Sequence, residues 1–146
     1  MPTTHEHVLF IAPRLRQRDC DEIWASVGTD PRTALEESIN YSSIHRTILL
    51  DGEPAAIFGA APSNEDNCGV AWLLGTDAID THARAFWLAS KAGLGLLFTW
   101  FGRLFNYVDA RNQPSLRWLK RPGASIAAPI PFGIEARPFH YFELTR

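Results

Sequence analysis

The sequence predicts an α/β (α+β) fold: one mixed sheet of about six or seven strands with helices on both faces. Three observations carry this. Apolar patterns of period two and period 3.6 alternate along the chain. Two apolar runs within 45–61 are joined by Asp51-Gly52, the strongest two-residue hairpin signal. Residues 103–123 read as a strand, a turn, a capped helix and a glycine stop. The chain has 146 residues, 46% apolar and 21% charged, which is material for one core. Residues 1–146 are therefore taken as a single domain.

Val8–Ile11 is a short apolar run and reads as a first strand ended by Pro13. Asp19 or Asp21 can cap a helix through about Val27, with Ile23 and Trp24 inward. Asp30-Pro31 is an N-cap and N1 pair for a second helix to about Ile39 or Tyr41. The hairpin 45–61 follows, then a polar loop and a strand at 69–74. The longest helix spans about 81–101, and Ala92–Phe98 within it carries no charge. Gly93 and Gly95 each cost it about 1 kcal/mol against alanine, which close packing on a strand would justify.

Leu104, Asn106 and Val108 alternate with Phe105, Tyr107 and Asp109 across the next strand. Asn112 suits an N-cap, Pro114 the first turn, Lys120 and Arg121 the C-terminus and Gly123 the stop. A short strand near 124–128, a Pro/Gly-rich connector at 129–133 and a strand at 137–144 complete the chain.

Net charge is −2, so no overall basic field recruits nucleic acid or anionic membrane. Cys20 and Cys68 match no metal spacing, and no P-loop or Ser-His-Asp order occurs. The longest apolar run, 92–102, is too short to span a bilayer. The N-terminus lacks the basic-then-apolar pattern of a signal peptide. The expected location is the cytoplasm of the producing cell.

The strand running into Asn112-Gln-Pro-Ser115 and on to Lys/Arg-x-Gly resembles the penultimate motif of GNAT-superfamily acetyltransferases. Four blocks, WLLGTD (72–77), LFNYVDARN (104–112), RWLKRPG (117–123) and RPFHYFEL (137–144), together resemble a family of GNAT-like proteins of short-tailed phages, linked to the virion core or its assembly. The resemblance covers roughly residues 45–145. It implies a splay between the fourth and fifth strands, 69–74 and 104–109, with acetyl-CoA in the cleft between them. Leu74, Gly75, Thr76, Arg84 and Asn112 would then contact the coenzyme.

The phosphate cradle of such enzymes uses glycines and a helix N-terminus to bring N–H groups to the pyrophosphate. Here only Gly75 remains as glycine, and Asp77 and Asp80 stand near the site. Each would cost about 1 kcal/mol or more in repulsion, unless Asp80 or Thr81 caps the helix and Asp77 shapes the turn. The family's acid is a tyrosine seven residues after the capping asparagine, and that position is Leu119. Tyr107 would replace it only if it faced the cleft. Asp109 is the best-placed base, unless it pairs with Arg111. Arg117, Lys120 and Arg121 share one helix face, open to solvent or to an acidic partner.

Two readings stand. The first is a catalytically degenerate GNAT-like protein acting through contacts with virion or host proteins, with no cofactor expected. The alternative is an acetyl-CoA-dependent N-acetyltransferase with divergent motifs.

Overall fold

The computed structural model describes residues 1–146. The strands are Ile44–Leu50 (β1), Glu53–Pro62 (β2), Cys68–Gly75 (β3), Arg103–Asp109 (β4), Ser125–Ile126 (β5), Ile130–Phe132 (β6) and Arg137–Thr145 (β7). The helices are His5–Ile11 (α1), Gln17–Ser26 (α2), Pro31–Tyr41 (α3), Ala78–Thr81 (α4), Ala83–Phe98 (α5) and Gln113–Lys120 (α6). One mixed sheet runs β1-β2-β3-β4-β7-β5, with β6 paired to β7. Only β3 and β4 pair in parallel.

Both faces are covered. On one, Ile48, Phe58, Leu104 and Val108 meet Phe86 and Leu97 of α5 and Leu119 of α6. On the other, Val8 and Ile11 of α1 and Leu35 of α3 pack on Ile57. The hairpin turns at Asp51-Gly52, both with positive φ (53° and 78°). Strand placement thus follows the alternation, because a one-residue slip would turn each apolar set to the wrong face.

Several expectations are corrected. Val8–Ile11 is not a strand but the end of α1. Thr4 caps this helix: its hydroxyl accepts from His7 N–H, and His7 Nδ1 accepts from Thr4 N–H. The fourth and fifth strands of the sequence reading are therefore β3 and β4. Ile23 is buried, but Trp24 is 59% exposed. Phe86, Leu97 and Val108 are buried, whereas Trp72 is half-buried and donates to Ser42 Oγ at 2.7 Å. The long helix breaks at His82 and stops at Phe98. Gly102 lies beyond it, donating its N–H to Asn67 Oδ1. A Cβ at Gly93 would sit 2.7 Å from the Phe58 ring, so that glycine is required; at Gly95 it would meet nothing. The 129–133 connector contains β6, which forms a hairpin with β7.

Candidate functional site

β3 and β4 pair at Cys68–Arg103, Gly69–Leu104 and Val70–Phe105, then part. The last link is Asn106 Nδ2 donating to Ala71 O at 2.7 Å. Beyond it opens a cavity of about 760 Å³ with apolar walls, among them Leu73, Leu94, Val108, Trp118 and Leu119. Thr76 N–H donates to Ala55 O in β2. Alternation along β3 therefore turns the main-chain groups of Leu73 and Gly75 away from β2, toward the opened side.

Helix α2 crosses the mouth of this splay and touches both diverging strand ends. Asp19 Oδ2 accepts the Gly75 N–H at 2.9 Å, and Arg16 N–H donates to Gly75 O at 2.9 Å. The buried Arg16 guanidinium grips the same carboxylate at 2.9–3.1 Å. Burial pushes the Asp19 carboxyl up, against the pull of Arg16 and of the Gly75 N–H. One turn on, Glu22 Oε1 accepts from Asp109 N–H at 2.9 Å and from Asn112 Nδ2 at 3.0 Å. Burial, reinforced by the charges of Asp19 and Asp109, pushes the Glu22 carboxyl up to about 7 despite these two donors. Glu22 lines the cavity and has no cation partner.

The coenzyme candidates lie as follows. A Cβ on Gly75 would sit 2.2 Å from Ile79 Cδ1, so this glycine serves the packing of α4 on β3. Thr76 is buried, and its Oγ1 accepts from Ala78 N–H. Leu74 lines the cavity while also packing on the α1 and α3 side. Arg84 is exposed and outside the cavity wall; Arg18 is the arginine beside this turn. Asn112 is buried and caps α6, accepting from Ser115 N–H at 3.3 Å.

Asp80 does not cap a helix. It forms a two-pronged ion pair with Arg18 at 2.8 and 3.0 Å, which holds its carboxyl below the usual carboxylate range. Nor does Thr81 cap α5, which begins after His82 with no side-chain cap at all. Its N-terminal Ala83 lines the cavity. Asp109 is buried, and Arg111 donates four hydrogen bonds to its carboxylate. Burial raises this carboxyl, but the bonds and charge of Arg111 outweigh it and leave it low. Tyr107 lines the cavity, its ring stacked on Phe132 at 4.0 Å. Leu119 is buried where the family's acid would stand. At the C-terminal end of α6, Arg121 lies 4.5 Å over the Trp87 ring, while Arg117 and Lys120 on the helix have no ion-pair partner.

The group missing from the sequence reading is Glu22. Only its spacing from Asp19, three residues along a helix, hinted at a shared face. What places it at the site is a long-range contact across 87 residues, to Asp109.

The fold was compared with those of known proteins. No family model matches the chain, and no curated protein matches it in sequence. Solved structures do match. Spermidine N-acetyltransferase from Vibrio cholerae, in complex with CoA and spermine, superposes with a TM-score of 0.72 at 13% identity, covering 99% of this chain and 93% of that one. Ribosomal-protein-S18-alanine N-acetyltransferase from Escherichia coli gives 0.67 at 11% identity, covering 99% and 91%. A GNAT-family acetyltransferase from Bacillus anthracis gives 0.61 at 16%, covering 80% and 73%. The chain has the GNAT fold.

Proposed function

We propose that the protein is a GNAT-type acyltransferase that moves an acyl group from a coenzyme A thioester to a primary amine. The observation that carries this is the open splay: beyond Val70 and Phe105 the strands leave a cavity of about 760 Å³ reaching the uncapped N-terminus of α5. The main-chain groups of Leu73 face the opened side and suit the amides of a pantetheine arm. The end of α5 suits the pyrophosphate, since an uncapped helix N-terminus offers N–H donors and positive potential. The objection that Asp77 and Asp80 repel phosphate loses half its force, because Arg18 neutralises Asp80. When bound, the coenzyme would supply an activated acyl carbon and a thiolate leaving group. The chain's own part is to hold the arm between β3 and β4, exclude water with apolar walls and receive the amine's proton.

A second reading is a catalytically degenerate protein that works by contact with other proteins, as in virion assembly. Asp19 on the Gly75 N–H and Leu119 in the acid position favour it, together with the four sequence blocks. The test is thiol release from acetyl-CoA with and without millimolar primary amines. Amine-dependent release supports the acyltransferase; its absence across simple amines, polyamines and peptide N-termini returns the second reading.

A further inference from the structure

We propose that Glu22 is the proton acceptor for the incoming amine, making it the catalytic residue of the cleft in place of Asp109. This rests on the acyltransferase reading. The geometry separates the two carboxylates sharply. Every donor to the Asp109 carboxylate belongs to Arg111, through its backbone N–H and guanidinium. Glu22 is fixed through one oxygen only, Oε1, by Asp109 N–H and Asn112 Nδ2. Oε2 takes no hydrogen bond from the protein, and the side chain lines the cavity. The carboxyl is thus held in place by backbone and cap, with one oxygen left for a substrate.

The surroundings set its acidity. On α2 it has Arg18, Asp19 and Asp21 as neighbours; at the end of β4, Asp109 with Arg111; on α6, the uncharged Asn112; and on the β6–β7 hairpin, Glu135 and Arg137 beside Asp109 and Arg111. Arg18 is committed to Asp80, Arg111 to Asp109 and Arg137 to Glu135. No cation is left for Glu22. Its carboxyl titrates near 7, where a general base works best at neutral pH.

An ammonium group enters the cleft and passes one proton to Glu22 Oε2. The freed nitrogen lone pair attacks the thioester carbonyl carbon and forms the C–N bond. The C–S bond breaks, and the nitrogen's second proton goes to the departing sulfur, giving amide and thiol. Glu22 then releases its proton to solvent. No dedicated acid is needed, which fits Leu119 at that position.

The experiment uses the full chain, wild type and Glu22→Gln. Amine-dependent thiol release from acetyl-CoA is followed from pH 5.5 to 9 with ethylamine, spermidine and an alanine-terminated peptide. A thermal melt of each protein with acetyl-CoA is run in parallel. The expected result is a kcat/KM for the wild type that falls below about pH 7. Glu22→Gln should lose 100-fold or more, in line with the worth of a general base, and lose that acid limb. It should stay folded and keep its coenzyme-induced shift. If Glu22→Gln keeps the rate and the limb, Glu22 is not the base while the acyltransferase stands. If Asp109→Asn removes the limb in a folded protein, the role returns to Asp109. If the wild type shows no coenzyme shift or no amine-dependent release, the acyltransferase reading falls and Glu22's role with it.

Discussion

Asp19 and Glu22 stand one turn apart on the same helix, and each takes the main-chain N–H of a diverging strand, Gly75 of β3 and Asp109 of β4. They differ in one respect. Asp19 has the buried Arg16 for a partner, and Glu22 has no cation. The first is a closed set of charges and donors that ties α2 to the sheet. The second is an incomplete set facing a cavity. The pairing of a carboxylate decides whether it serves the fold or is free for chemistry.

The largest effect should come from breaking the closed set. Asp19→Ala leaves Arg16 buried without a counter-charge and the Gly75 N–H without an acceptor. It should cost about 3–5 kcal/mol, read by urea denaturation. A loss under about 1 kcal/mol would mean that this pair does not fasten α2 to β3. Gly75→Ala comes next, at about 1–3 kcal/mol, because the new methyl meets Ile79 Cδ1 at 2.2 Å. A neutral outcome would show that α4 can shift freely.

Glu22→Gln should act in the opposite direction. The folded-state pKa of Glu22, about 7, lies above its ordinary value of 4.5. The folded protein therefore holds more protons than the unfolded chain between about pH 4.5 and 7. The stability this brings is present at low pH and lost as pH rises through 7. The glutamine variant lacks that loss, so its melting point should overtake the wild type's between pH 5 and pH 8. Parallel curves would show that Glu22 is not held near 7. The smallest effect belongs to the half-exposed Arg18–Asp80 pair. Asp80→Asn should change stability by less than about 1 kcal/mol, while strengthening any phosphate site, since it removes a negative charge and frees Arg18.

The legible parts of the fold were those with local signals. Alternation in Leu104–Asp109, the Asp51-Gly52 turn and the Asn112 cap each lie within a few residues. The apolar run Val8–Ile11 reads as a strand in the sequence because period two and a single helical turn cannot be told apart over four residues. The cue that decides it is a capping box with His7 in the usual glutamate position. The splay of β3 and β4 was legible as a place, and the contacts across it were not. Gly75 ends β3, Thr76 follows it, and Asn112 precedes α6. Arg18 on Asp80 and Glu22 on Asp109 span 62 and 87 residues of chain. No short-range pattern announces such pairs, and they reverse the electrostatic reading of Asp80 and shift attention from Asp109 to Glu22.

The most direct test of the central claim is a thermal melt with millimolar acetyl-CoA. If the splay of β3 and β4 holds the coenzyme, a ligand at about a hundred times its dissociation constant adds about 2.7 kcal/mol to the folded state. That is a rise of several degrees for a chain of this size. An unchanged melting point at saturating acetyl-CoA would contradict the account and leave a GNAT fold that acts only through its surface.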